Sequence, residues 1–411
     1  MKNIIKIAFR NLYRQKRRSF LTMGIVAFGV LSVLLFSATA GSFKNFMISE
    51  ITDSMLGHIQ IHAKGYVSSL DNLPLDRTIK AKQIKEMEKI LDEIPEIESY
   101  TYRILLGGMV SNYLESTSAK FSAIIPGKET KVAPLLEDRL LKGEFLKKGE
   151  ILLPEMITKG FDSKIGDDIV LVATNADGSV NGKPLTISGI MESVVGPTGK
   201  YGYLHFDDAK SILRMNETEI SEVAIRLKNF NDLEKVNSIL NEKLEAITNK
   251  KDQPFFEIHT WEKLSPFYNI AKMIDMMSMF IKVILIGIVL VSIMNVMIMA
   301  VYERTKEIGA ISAMGTLPSK IRLMFLFEGL FLGIFGSVIG VAASLIAIFI
   351  VNISNVTVAF GRNSNILLQP EVSLSQIVMT ALIVILVAII AVLEPAFKAS
   401  KLEPIEALRQ N

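Results

Sequence analysis

The sequence predicts a membrane protein with four transmembrane α-helices and a large α+β domain inserted between the first and the second. Three observations predict it. Four apolar stretches are long enough to cross a bilayer, lysine and arginine crowd one end of each, and the longest interval between spans carries mixed strand and helix patterns. Crossing roughly 30 Å of hydrocarbon takes about 20 apolar residues at about 1.5 Å rise each. Residues 19–43, 283–301, 329–351 and 372–393 meet that length or approach it without one Asp, Glu, Lys or Arg. The chain then divides into a basic interfacial helix (1–18), a first span (19–43), the inserted domain (44–270), a second span with its approach (271–301), a connecting segment (302–320), a third span (321–351), a short loop (352–371), a fourth span (372–394) and a tail (395–411).

Orientation follows from basic residues in short flanks, because these resist translocation. Lys2, Lys6, Arg10, Arg14, Lys16, Arg17 and Arg18 precede the first span with no acid among them. Arg304, Lys306, Lys320 and Arg322 lie between spans two and three, and Lys398, Lys401 and Arg409 follow span four. The loop between spans three and four has only Arg362. Both termini and the 302–320 segment are therefore expected in the cytoplasm and the inserted domain outside, in the manner of a multi-pass protein of the cytoplasmic (inner) membrane. Ala38-Thr39-Ala40 imitates a signal-peptidase site, but the apolar run before it exceeds a signal core, so the first span is read as retained. In the N-terminal helix, Ile4, Ile5, Ala8 and Leu12 oppose Lys6, Arg10, Arg14 and Arg17, the pattern of a helix lying on anionic lipid.

The inserted domain is long enough for its own core and for two subdomains. Strand patterns bounded by turn residues occur at 58–62, 150–153, 168–173, 184–190, 222–227 and 255–259, and helical periodicity at 81–91 and 233–247. His58 and His62 have the spacing of helical metal ligands, yet they alternate with Ile59 and Ile61, which reads as a strand with a solvated histidine face and no metal.

The 302–320 segment holds the densest pattern of the chain. Glu303, Arg304, Thr305, Lys306, Glu307, Ile308 and Gly309 begin a short helix, with the two glutamates at i and i+4 showing charge to water. Ala313 precedes Gly315, which suits a left-handed helix end, and Pro318 suits the first turn of the next helix. A short charged helix held between two spans suits a part that receives force from a soluble partner, and a plain connector obeying the basic-flank rule explains the same charges. In span three, Gly329, Gly333, Gly336 and Gly340 form two G-x-x-x-G frames that admit a close helix, either of a second copy of this chain or of a neighbour in the same bundle. Glu328 is expected to pair with Arg322 at the membrane boundary. Met273, Met276, Met277 and Met279 before span two either offer a greasy surface to acyl chains or, as the simpler reading, pack against span one.

Several chemistries are excluded. Cysteine is absent, so disulfides and thiol acylation are too. A net charge of +3, concentrated at membrane flanks, gives no footprint for nucleic acid. No G-x-x-x-x-G-K-[ST] cradle or G-x-S-x-G elbow occurs, and residues 196–201 hold a Gly-Lys pair without the hydroxyl that would ligate Mg²⁺. The chain is thus expected to bind no cofactor itself.

Taken in order, several strings resemble the four-span permeases of the MacB, FtsX and LolC/LolE group of ABC transporters, LolC/LolE above all. They are Ile7-Ala8-Phe9-Arg10-Asn11-Leu12 with Arg17-Arg18-Ser19, Gly57-His58-Ile59-Gln60-Ile61-His62 with Gly65-Tyr66, and Lys148-Gly149-Glu150-Ile151-Leu152-Leu153 through Ile165-Gly166-Asp167 and Ile187-Ser188-Gly189-Ile190. The 303–315 segment and Pro395-Ala396, Leu402 and Pro404-Ile405-Glu406-Ala407-Leu408-Arg409 complete the set. The resemblance implies a non-enzymatic permease that pairs with itself or a paralogue. Two cytoplasmic ABC ATPase copies would supply ATP and Mg²⁺, and their motion would pass up the spans to the outer domains, a mechanism called mechanotransmission. It implies lipoprotein or other lipid-like cargo drawn from the outer leaflet. Alternatives within the group are MacB-like export with a periplasmic adaptor and FtsX-like control of a cell-wall hydrolase. The group's carrier-binding hook would correspond here to the turn of Asn175, Asp177, Gly178, Asn181 and Gly182, which an ordinary Asp-Gly hairpin also explains.

Overall fold

The computed structural model describes residues 2–175, 177–193, 199–249, 252–360, 363–367 and 369–402. Its longer helices are α1 (Lys2–Arg14), α2 (Lys16–Ile51), α3 (Ala81–Asp92), α4 (Leu233–Glu245), α5 (Tyr268–Glu303), α6 (Thr305–Ala313), α7 (Pro318–Ile353) and α8 (Leu374–Ser400). The strands of the main sheet are β1 (Ile59–Ala63), β2 (Ile97–Ser111), β3 (Ser116–Ile124), β4 (Leu140–Gly143), β5 (Glu150–Pro154), β6 (Asp168–Thr174), β7 (Val180–Met191), β8 (Tyr201–His205), β9 (Glu222–Leu227) and β10 (Phe256–Thr260). Two compact units result, Met1–Phe46 with Ala271–Asn411, and Met47–Ile270.

In the first unit, α2, α5, α7 and α8 are, among the described residues, the four helices long and apolar enough to span a bilayer. Each runs past the uncharged stretch that marks it in the sequence, because helical hydrogen bonding continues where the side chains turn polar. Val26, Val30 and Leu34 of α2, Ile293 and Met297 of α5, Phe325 and Leu332 of α7, and Ala388 and Val392 of α8 meet in one buried core. Large apolar side chains elsewhere on these helices, such as Phe28, Phe280, Ile346 and Leu386, are exposed, as suits surfaces solvated by lipid. Local chemistry sets the helix ends. Pro318 opens α7, and Ser373 caps α8 in a capping box with Gln376. Between α7 and α8, β11 (Thr357–Phe360) pairs with β12 (Asn363–Leu367); Arg362 lies outside the described residues. So do Pro404–Arg409 of the tail motif and Gly196.

The second unit is built on a ten-stranded mixed sheet in the order β10-β1-β9-β2-β3-β8-β5-β7-β4, with β6 pairing β2 and β7. The two subdomains expected here share this one sheet. The reason is β2, whose 15 residues are long enough to pair β9 through the first half and β3 and β6 through the second. The helical patterns at 81–91 and 233–247 are α3 and α4, which bury Ile84, Met87 and Leu91, and Val236, Leu240 and Leu244. Antiparallel pairing of β1 with β10 sets Ile59 opposite Thr260, so the chain enters and leaves the sheet side by side.

Candidate functional site

The segment joining the second and third spans is a separate nine-residue helix, α6. Arg304 leaves helical geometry at φ −107° and ψ 13°, and the Thr305 hydroxyl donates back to the Tyr302 carbonyl at 2.9 Å. At the other end Gly315 takes φ 83°. Its N–H donates to Ser312 and that of Thr316 to Ile311, the paired bonds of a Schellman motif that only a left-handed residue allows at low cost. The break at Arg304 separates Glu303 from Glu307, so they are not neighbours on one regular helix as their spacing predicts. Glu303 instead lies 3.9 Å from Arg18.

Arg304 is not displayed to water. It is 6% exposed, and its guanidinium donates to Glu328 at 3.0 Å and to Glu307 at 3.2 Å, 5.9 Å from the centroid of the Phe325 ring. Glu328, 3% exposed, also accepts from Asn11 Nδ2 at 2.8 Å, and Glu307 is reached by Arg14 at 2.8 Å. One network thereby ties α6 to α7 and α1. The expected partner of Glu328 was Arg322, and the structure corrects it. Six residues along a helix turn the side chain about 240°, to another face, and Arg322 there stacks over Phe397 at 5.0 Å. Thr305, Ile308 and Gly309 are buried with Arg304, whereas Lys306, Ala313, Met314, Gly315 and Leu317 point outward, Met314 being 78% and Leu317 58% exposed. Ala8, with Ile4 and Leu12, packs α1 into the bundle core, while Ile5 is exposed, so α1 is held by protein along the face assigned to lipid.

The four glycines of α7 are consumed inside the bundle. A Cβ on Gly329 would stand 2.6 Å from Val392, on Gly333 3.0 Å from Ala388, on Gly336 2.6 Å from Val26 and on Gly340 2.7 Å from Val30. Gly329 and Gly333 thus admit α8, and Gly336 and Gly340 admit α2, so this face is not available as a seam between copies. The methionines before span two are not buried against span one. Met273, Met276, Met277 and Met279 are each about half exposed or more, and the same stretch of α5 buries Ala271 and Ser278 instead.

In the sheet domain, the suggested hook is closed on itself. Asn175 is buried and donates to the Ser179 hydroxyl at 2.9 Å, Asp177 accepts from the Ser179 N–H at 2.9 Å, and Gly178 sits at φ 84°. Asn181 and Gly182 belong to β7, paired with Ala173 and Val172, and Asn181 donates to the Ile212 carbonyl at 2.9 Å. The histidine strand is not solvated either, because β1 lies between β9 and β10 with all five residues buried. His62 stacks on Tyr66 and lies 3.4 Å from Glu222.

Sequence reasoning missed the charges beside it. Arg103 of β2 is gripped by Glu129 of the short helix 126–132 at 2.6 Å and by Glu222 of β9 at 2.9 Å, all three nearly solvent-free. Burial pushes the Glu222 carboxyl up, but His62 and Arg103 outweigh it and hold the group below its ordinary range. The two carboxylates overcome burial and hold the Arg103 guanidinium above its own. Glu222 inside the 222–227 strand pattern was the available signal.

Residues 19–243 match the model of the MacB-like periplasmic core domain, more than half of the chain, and residues 279–404 match that of the FtsX-like permease C-terminal domain. The chain is an ABC transporter permease of the LolC, MacB and FtsX family. The permease is 22% identical over 435 residues to the lipoprotein-releasing system transmembrane protein LolC of Neisseria meningitidis serogroup B, covering 98% of both chains. An uncharacterized ABC transporter permease of Methanocaldococcus jannaschii is 22% identical over 421 residues, covering 99% of this chain and 98% of that one. The macrolide export ATP-binding/permease protein MacB of Haemophilus ducreyi is 23% identical over 416 residues, covering 98% of the permease and 56% of the relative. The network of α1, α6 and α7 falls largely in the FtsX-like region, and Arg103, Glu129 and Glu222 in the periplasmic core region.

Proposed function

We propose that the permease receives the motion of a partner ABC ATPase at α6 and passes it along α7 and α1 to move lipoproteins, or other lipid-like cargo, out of the outer leaflet of the inner membrane. The observation that carries this reading is the division of α6 into two faces. Arg304, Thr305, Ile308 and Gly309 are locked inward, while Lys306, Met314 and Leu317 stand out around the Gly315 turn. Exposed apolar side chains at a rigid, basic-flanked tip suit docking into a soluble protein, and the buried Arg304–Glu328 pair prevents a push on that tip from dissipating in the linker. In this arrangement the basic ends of the spans face the cytoplasm, two ATPase copies bind ATP and Mg²⁺, and a second permease, identical or a paralogue, completes the assembly.

End-to-end likeness to a LolC chain supports the lipoprotein cargo. Similar identity to MacB, also over 98% of the permease, supports a second reading, export with a periplasmic adaptor. Affinity capture of the membrane-extracted permease, followed by mass spectrometry, separates them. An ATPase retained with acylated lipoproteins supports release, an ATPase with an adaptor and no acylated cargo supports export, and capture of no ATPase overturns both. Met314→Asp with Leu317→Asp should abolish ATPase retention while leaving membrane insertion intact.

A further inference from the structure

The sheet domain holds a cavity of about 140 Å³ that the transport reading does not use. Its floor is one face of the adjacent strands β1, β9, β2, β3 and β8, and strand register explains why these side chains meet. Arg103 lies opposite Glu222, Leu105 opposite Ser122, and Ser122 opposite Tyr203, so residues two apart on each strand emerge on the same side. Leu73 and Leu264 close it from above with Met55 and Leu56, the last two on the π-helical turn that follows α2.

Two properties of the walls select an occupant. Tyr203 is 4% exposed, lines the cavity, and its hydroxyl has no hydrogen-bond partner among the described residues. Burial pushes this phenol up to about 12, so it stays protonated and able to donate. A buried hydroxyl without a partner is costly and is satisfied by a ligand or by water. The wall charges are matched, Arg103 and Lys120 against Glu222 and the neighbouring Glu129, which disfavours a net-charged guest. Tyr201 supplies flat aromatic surface, and the covering residues supply aliphatic surface.

We infer that this cavity is a binding site for a small neutral ring compound bearing a hydroxyl or carbonyl group, its polar atom on Tyr203 and its ring among Tyr201, Leu105 and Leu264. The volume is close to that of an engineered cavity of about 150 Å³ that takes up benzene, which limits the guest to a single ring. A guest there touches both the turn leaving α2 and, at Leu264, the segment leading to α5, so its binding stiffens the two chain connections of the domain.

The test uses 4-fluorophenol as the probe and fluorine NMR on the full-length permease in lipid nanodiscs, with empty nanodiscs as the measure of partitioning. Saturable line broadening above the blank is expected. Tyr203→Phe, which removes one oxygen, should weaken it about tenfold, and Ser122→Leu, which fills the cavity, should abolish it. Broadening no greater than that of empty nanodiscs would leave water as the occupant and overturn the site. So would wild-type binding by Tyr203→Phe, whose near-isosteric change keeps the test decisive even if Ser122→Leu does not fold.

Discussion

Glu328→Ala tests whether α6 is locked to the bundle. Glu328 accepts from Arg304 at 3.0 Å and from Asn11 at 2.8 Å, with almost no solvent contact. Unit charges about 4 Å apart attract by about 4 kcal/mol at an effective dielectric near 20, and truncating one member of a buried pair costs about 3–5 kcal/mol because the other charge is stranded. Here Arg304 keeps Glu307 at 3.2 Å, but that carboxylate is 42% exposed and screened, so the loss belongs at the lower end, about 3 kcal/mol. If the loss falls on local opening of α6, its amides should exchange roughly a hundredfold faster. Hydrogen exchange with mass spectrometry on the full chain in nanodiscs reads this at residues 305–313. Adding Arg304→Met should return most of the protection, with a coupling of at least about 2 kcal/mol in the double-mutant cycle. Exchange at 305–313 that changes less than threefold, or two variants whose effects simply add, would refute the lock.

Other expectations are equally direct. Gly336→Leu should cost about 1–3 kcal/mol of bundle stability through overpacking against Val26, seen as a lower melting temperature in detergent with no change of oligomeric state; dissociation of a dimer without loss of stability would put the glycines back at a seam between copies. Arg103→Met should strand Glu129 and Glu222 and cost about 3–5 kcal/mol, lowering the melting temperature by roughly 10 °C, whereas an unchanged melt would show that the triad contributes nothing. The pH dependence has a definite sign. Burial, partly offset by Glu257, holds His259 below its ordinary 6.5, and His62 and Arg103 outweigh burial to hold Glu222 below 4.5. Both groups bind protons more readily when unfolded, so stability should fall on acidification, first below about pH 6.5 and again below about pH 4.5. His259→Phe should remove the first decline and Glu222→Gln flatten the second, and denaturant midpoints measured from pH 8 to 4 would read both; a rise in stability between pH 7 and 5 would contradict the assignment.

What could be read in the sequence was what depends on near neighbours. An uncharged apolar run becomes a spanning helix in nearly any context, and Gly315 and Pro318 mark helix boundaries through their own backbone preferences. The strand patterns at 150–153, 168–173 and 222–227 correspond to β5, β6 and β9 for the same reason. By contrast β2 and β3 escaped notice, since Gly107-Gly108 and the Ser-Thr-Ser-Ala stretch at 116–119 lack the bulky alternation that advertises a strand. Pairing of Arg304 with Glu328, or of Arg103 with Glu129 and Glu222, depends on which chain segments the fold brings together. A sequence-adjacent arginine therefore looked the better partner for Glu328, and a buried histidine strand looked wet.

The neighbouring ends of the sheet domain have a consequence for how it can be replaced and how it yields. Because Ile59 and Thr260 are opposed across one pair of strands, some two hundred residues of intervening chain open a gap no wider than a hairpin's. Such a module can be cut out at β1 and β10 and a short turn or a foreign domain grafted in its place without asking the remaining helices to move. The same geometry makes it directional under load. Drawing the two ends apart peels β1 from β10 one hydrogen bond at a time, while lifting them together leaves that pair intact and loads β1 against β9 in shear, across several hydrogen bonds at once.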